Sequence, residues 1–99
     1  MRIIAVSTLR EFWSRPGRND AEQPLRAWVH IVKAADWSRP TDVKEMFRSA
    51  DILPNDRIVF NISGNKYRLV AAVHYHGQRA YVRFIGTHWE YDDIDARSI

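Results

Sequence analysis

The chain has no cysteine, which excludes a disulfide scaffold, a thiolate metal site and a cysteine nucleophile together. Nothing in it points to an oxidising compartment. No apolar run approaches the ~18 residues that a membrane span requires, and Met1–Val6 followed by polar Ser7–Glu11 does not read as a signal peptide. There is no internal repeat, low-complexity stretch or linker, so 99 residues are expected to form one domain, 1–99. A cytoplasmic protein that does not contact the membrane is the expectation. What is present is ordinary for a folded chain: 45% hydrophobic and 27% charged residues, a balance that argues against disorder. Fifteen Lys and Arg against twelve Asp and Glu leave a formal charge of +3, which permits an anionic partner without requiring one.

The first half has helical periodicity. Arg2–Val6 is short, apolar and β-rich, a first strand. Ser7 offers an N-cap to a helix with Leu9, Phe12 and Trp13 on one face, stopped by Pro16-Gly17. Asp20 with Gln23 has the form of a capping box ahead of a longer helix whose stripe is Leu25, Trp28, Val29, Val32 and Ala35. Pro24 falls in its first turn, where a missing donor matters little. Arg39-Pro40 breaks the chain, and Thr41 caps a shorter helix carrying Val43, Met46, Phe47 and Ala50. Pro54-Asn55-Asp56 is turn chemistry.

From Arg57 the period becomes two. Arg57–Ile62, Lys66–His76 and Arg79–Ile85 read as antiparallel strands joined by the two-residue loops Gly64-Asn65 and Gly77-Gln78, each with Gly first. One face then holds Ile58, Phe60, Ile62, Tyr67, Leu69, Ala71, Val73, Tyr75, Ala80, Val82 and Phe84, all apolar or aromatic, and must pack on the helices. Thr87-His88-Trp89-Glu90 is a Thr-x-x-Glu capping box, with a short closing helix from Tyr91 to about Ala96. The fold class is α+β.

The opposite face carries Arg57, Val59, Asn61, Lys66, Arg68, Val70, Ala72, His74, His76, Arg79, Tyr81, Arg83 and Ile85: five cations and no carboxylate. Like charges on neighbouring strands repel, so this face is either a solvated surface or a site for an anion. The register puts Asn61 opposite Arg68, Thr87 on its other side and Arg83 opposite Ala72. Lys66 lies beside the turn. His88 becomes the first helical residue, with Tyr91 on the same helix face, and the helix amides favour phosphate. Such a group suits RNA cleavage through the substrate's own 2′-hydroxyl, which needs no protein nucleophile. Arg68 and Arg83 would meet charge growing on phosphorus with Lys66 assisting, and His88 and Tyr91 would handle protons. Arg57, Arg79 and Asn61 would bind flanking RNA. The scheme requires no metal and no other cofactor.

Phe60-Asn61-Ile62-Ser63-Gly64-Asn65-Lys66-Tyr67-Arg68-Leu69-Val70 and Tyr81-Val82-Arg83-Phe84-Ile85-Gly86-Thr87-His88-Trp89-Glu90-Tyr91-Asp92 together resemble the HigB toxin family of bacterial type II toxin–antitoxin systems, relatives of the RelE-like toxins. The resemblance implies a RelE-like fold, with an N-terminal strand and helices packed on an antiparallel meander. It implies an mRNA interferase of the bacterial cytoplasm that acts on messenger RNA, typically on the ribosome. A HigA-type helix-turn-helix antitoxin would neutralise it, and DNA would be met only through that antitoxin complex. The family's motif positions fall on Asn61, Lys66, Arg68, Arg83, His88 and Tyr91.

Other readings are weaker. His74 and His76 share a strand face but have no third ligand for zinc, and Asp92, Asp93 and Asp95 fit the dipole of a helix start. His30 lies beside the long helix's apolar stripe as a partly buried polar residue. Trp13, Trp28, Trp37 and Trp89 read as core or partner-contact residues rather than base-stacking platforms. A non-catalytic RNA- or ribosome-binding module and a gyrase-inhibiting toxin on the related fold remain as alternatives.

Overall fold

The computed structural model describes residues 1–99. The elements are β1 (Arg2–Ile4), α1 (Val6–Trp13), a 3-10 turn at Asn19–Ala21, α2 (Glu22–Ala34), α3 (Pro40–Met46), β2 (Asp51–Leu53), β3 (Arg57–Ile62), β4 (Tyr67–His74), β5 (Arg79–Thr87) and α4 (His88–Asp92). The strands form one sheet in the order β1-β5-β4-β3-β2. The meander β3-β4-β5 is as expected, but the sheet as a whole is mixed, because β1 pairs parallel with β5. On the other edge β2, unseen in the sequence, pairs antiparallel with β3.

The helices cover one face. Leu9, Phe12 and Trp13 of α1 and Leu25, Trp28 and Val32 of α2 are buried against Ile58, Phe60, Leu69, Ala71 and Val73. Trp28 meets Phe60 edge-on, with ring centroids 5.3 Å apart. Helix starts depart from the expected caps. The residue before α1 is Ala5, which offers no side-chain cap, so Ser7 lies inside the helix. Ala21 likewise precedes α2 with no side-chain cap; the Asp20 carboxylate is drawn away to Lys66 and Tyr67. Pro40 starts α3 at its first position, where its fixed φ suits a helix and its missing N–H is not needed. Thr41 is therefore inside α3, and Asp42 closes the turn by accepting from the Ser38 amide at 2.8 Å. Ala50 lies beyond α3.

The first hairpin has the expected register, Asn61 facing Arg68. Gly64 takes φ +66, as a Gly-first turn requires, and Lys66 N–H donates to the Ser63 carbonyl at 3.2 Å. The second hairpin does not. β4 ends at His74, which pairs with Arg79, so the loop is Tyr75–Gln78 and His76 is not on the strand. Gln78 adopts φ +53, and its side-chain amide donates to the Trp37 and Tyr75 carbonyls at 2.7 and 2.8 Å. That anchorage to the helical layer moves the turn.

Further along, Ala71 pairs with Val82 but Val70 pairs with Phe84. Arg83 is thus an extra residue, a β-bulge, and the strand's faces exchange beyond it. Phe84, expected in the helix-side core, packs instead with Val59, Val70 and Ala96 on the opposite face. Ile85 packs on the helix side.

That opposite face is not the open basic surface the sequence suggested. Val59, Val70 and Ala72 are buried in it, and Tyr91, Ile94, Ala96 and Ile99 fold back over Val59 and Val70. Asp51, opposite Val59 on β2, adds a carboxylate. The closing helix is also shorter and earlier than expected: His88–Asp92 is helical, and turns follow to Ala96.

Candidate active site

One end of the sheet gathers the β3–β4 turn, the end of β5, α4 and the 3-10 turn before α2. The Thr87 hydroxyl accepts from the Glu90 amide at 3.1 Å, and the Glu90 carboxylate accepts from the Thr87 amide at 2.8 Å, so the expected capping box is complete. Arg18 donates to the same carboxylate at 3.3 Å. The Thr87 amide bond, with Arg18 nearby, holds the Glu90 carboxyl below the usual glutamate range.

This same cap removes one expected feature. The amides of Thr87 and Glu90 are taken by the box, and the His88 amide donates to the Lys66 carbonyl at 3.2 Å. A five-residue helix with these donors satisfied is not a phosphate-binding terminus.

The side chains form two groupings. In the first, Arg68 and Tyr91 meet on the sheet face away from the helices, the guanidinium carbon 4.7 Å from the ring centroid. Arg68 Nε is buried without a hydrogen-bond partner, and no carboxylate pairs with this guanidinium. Gly86 stands opposite Arg68, with Thr87 opposite Tyr67 rather than Arg68 as the sequence register had it. A Cβ at Gly86 would come 2.5 Å from Phe84 Cζ and 3.1 Å from Glu90 Oε1, so only glycine lets the cap and Phe84 close over this position.

In the second grouping, Asn65, Lys66, Thr87, His88 and Trp89 line an open cleft of about 490 Å³. His88 Nε2 lies 3.6 Å from Asp92 Oδ2, and Nδ1 is buried without a partner. Lys66 is ion-paired with Asp20, to which the Tyr67 hydroxyl also donates. Donation by Lys66 and then Tyr67 keeps the Asp20 carboxyl below its usual range, while Asp20 raises Lys66. Burial, reinforced by Asp20, raises the Tyr67 phenol. The first turn of α4 joins the two groupings, since His88 and Tyr91 are three residues apart on it.

The remaining candidates lie apart. Arg83, exposed at the bulge, has its guanidinium 6.0 Å from the Tyr81 ring. Arg79 is at the far end of β5 opposite His74. Asn61 is in register with Arg68 and donates to the Ser49 carbonyl at 3.2 Å. Arg57 holds the end of the chain, donating through Nε to the Ile99 carbonyl and through Nη1 to the Asn55 carbonyl, both at 2.9 Å. His30, expected to be partly buried, is exposed, and Trp89, expected in a core or a partner contact, lies outside the core. Sequence reasoning missed Arg18 and Asp20 as site-shaping residues. Both lie more than forty positions from the residues they hold, and no local pattern links them.

A family model described as HigB_toxin, RelE-like toxic component of a toxin–antitoxin system, matches residues 21–94. The mRNA interferase toxin HigB of Escherichia coli strain K12 is 38% identical over 98 residues, covering 97% of this chain and 92% of that protein. The mRNA interferase HigB of E. coli O6:H1 is 29% identical over 96 residues, covering 95% of this chain and 91% of that protein. On a match of this extent, the chain belongs to the HigB family of RelE-like toxins, the toxic components of toxin–antitoxin systems.

Proposed function

We propose that this protein cuts messenger RNA by attack of the substrate's 2′-hydroxyl on the adjacent phosphate, with no metal ion. The observation that carries this reading is Arg68, a guanidinium with no carboxylate partner whose Nε is buried and unpaired and whose plane carbon lies over Tyr91. A partly buried cation without a carboxylate partner, beside a phenol, is suited to an anion that arrives with the substrate. Arg68 meets the charge growing on phosphorus, and Lys66 assists from the cleft by exchanging its Asp20 partner for the phosphate. His88 and Tyr91 sit where a proton can be taken from the 2′-oxygen and another given to the leaving 5′-oxygen. The bond formed is 2′-O–P and the bond broken is P–O5′, so the products are a 2′,3′-cyclic phosphate and a 5′-hydroxyl. Arg83 and Arg79, farther along β5, contact flanking phosphates, and Asn61 stands beside Arg68 for a sugar or base. Arg57 stays outside this reading, because its guanidinium is engaged.

Relatives named as mRNA interferases support the choice of substrate. The reading places the protein in the bacterial cytoplasm, acting on messages in ribosomes, with a HigA-type helix-turn-helix antitoxin as its inhibitor and DNA reached only through that complex. The test is induction with and without the antitoxin encoded beside it, followed by mapping of new 5′ ends in total RNA. New 5′-hydroxyl ends in messages, absent for Arg68→Ala, are expected. RNA binding without new ends would make the protein a binding module. Loss of DNA supercoiling activity with intact RNA would make it a gyrase inhibitor.

A further inference from the structure

Of the four tryptophans, Trp13, Trp28 and Trp37 are buried, whereas Trp89 is 78% exposed. An indole left in water forgoes a large apolar gain, so its position calls for a ligand. Trp89 is the second residue of α4, with its backbone fixed by the capping box, and the His88 imidazole stands perpendicular to it, 5.8 Å between centroids. It is the one hydrophobic residue among the five lining the cleft, the others being Asn65, Lys66, Thr87 and His88. At about 490 Å³ the cleft falls within the roughly 300–1,000 Å³ of small-ligand sites.

The other exposed large hydrophobics, Ile31, Met46 and Ile52, lie on α2, α3 and β2, and none of them lines the cleft with Trp89. A protein partner seeks a broad apolar centre with a polar rim. A lone π-face beside an imidazole and the ammonium of the Lys66–Asp20 pair matches one nucleotide, the base against the indole and its phosphate toward Lys66 and His88. Resting on the RNA-cleaving reading above, we infer that Trp89 is a stacking platform for one base of the RNA next to the phosphate that is cut. It thereby holds the message in register with His88.

Trp89→Ala, Trp89→Phe and wild-type protein are compared in cleavage of the same message, on ribosomes or free as the wild-type protein requires. Acrylamide quenching of tryptophan fluorescence is measured with and without an all-2′-deoxy oligonucleotide that binds but cannot be cut. Because the other three indoles are buried, quenching in the free protein reports Trp89. The expected result is shielding by the oligonucleotide and a KM for Trp89→Ala raised about 5- to 150-fold, the range of one base–aromatic stack. Turnover at saturation changes far less, and Trp89→Phe recovers most of the KM. An unchanged KM with unshielded fluorescence, while wild-type protein still cuts RNA, overturns the platform and leaves the ribonuclease reading intact. Shielding by the antitoxin but not by the oligonucleotide makes Trp89 a protein contact and also overturns it. Absence of any RNA cleavage by wild-type protein overturns both.

Discussion

The Arg68 guanidinium rests over the Tyr91 ring, 4.7 Å from its centroid, and Tyr91 in turn lies 6.4 Å from Phe84, centroid to centroid. A strand residue and a helix residue are thus set by one stack that begins in the smaller core. Substitutions can separate the charge, the plane and the hydroxyl in this stack. Arg68→Lys keeps the charge but loses the planar fork, and single-turnover RNA cleavage should fall about 10²-fold or more, the usual effect of removing one donor aimed at developing charge. Tyr91→Phe keeps the stack and the packing; loss of a proton-handling hydroxyl should lower cleavage by roughly 10²–10⁴ without moving Tm. Full activity in both variants would sink the site.

Thr87→Ala removes one half of the capping box. A lost N-cap costs about 0.5–2 kcal/mol, and thermal unfolding should show a loss of that order. Cleavage should drop because His88 and Tyr91 sit within the first turn that the box fixes. Thr87→Ser, which keeps the hydroxyl, should restore both measurements.

Gly86→Ala places a methyl against Phe84 Cζ and the Glu90 side chain. Overpacking of this kind costs about 1–3 kcal/mol, read in urea midpoints. Pairing it with Phe84→Leu should recover part of the loss, since the methyl then has room. Independent, additive losses would show that the two sites are not in contact.

The carboxyls of Asp20, Glu90 and Asp95 are all held below their usual ranges. A depressed carboxyl contributes stability above its unfolded pKa and loses it as pH falls through the folded value, so the loss begins below pH ~4.5. Lys66 is raised, and its contribution is present below the unfolded lysine value and is lost only as pH climbs beyond it. Tm should therefore be level through neutrality and fall in acid. Asp20→Asn should flatten part of the acid limb; an unaltered acid limb would mean the Lys66–Asp20 pair is without effect in solution.

The parts of this structure legible in sequence are those decided within a few residues. Gly64 sits at a turn position that needs positive φ, and the alternation on either side sets the β3–β4 register. Thr87 and Glu90 carry both halves of their cap within four residues. What was not legible depends on distant contacts. The β4–β5 turn moved because Gln78 reaches Trp37, and Asp20 left its expected cap for Lys66 and Tyr67. Arg83 carries no sign of a bulge in its own identity. β2 escaped notice because three residues, Asp51–Leu53, are too few for a period. The cover over the second face was hidden because Ile94, Ala96 and Ile99 are scattered among polar residues. For the site, local pattern brings Arg68, Arg83, Lys66, His88 and Tyr91 to one place, whereas the fold sets Lys66 and His88 in a cleft, Arg68 and Tyr91 in a stack and Arg83 at the bulge, and engages helix amides that the sequence leaves free.

The extra residue at Arg83 makes β5 a rivet through the sheet. Before the bulge its alternate side chains, Ala80 and Val82, belong to the helix-covered interior; after it Phe84 belongs to the other. With an unbroken phase Phe84 would fall on the helix side and Ile85 on the other. The smaller interior has only three fully buried residues, Val59, Val70 and Ala96, too few to hold an enzyme's working groups steady by themselves. Through the rivet, the segment bearing His88 and Tyr91 continues directly from a strand whose other side chains are anchored in the larger interior.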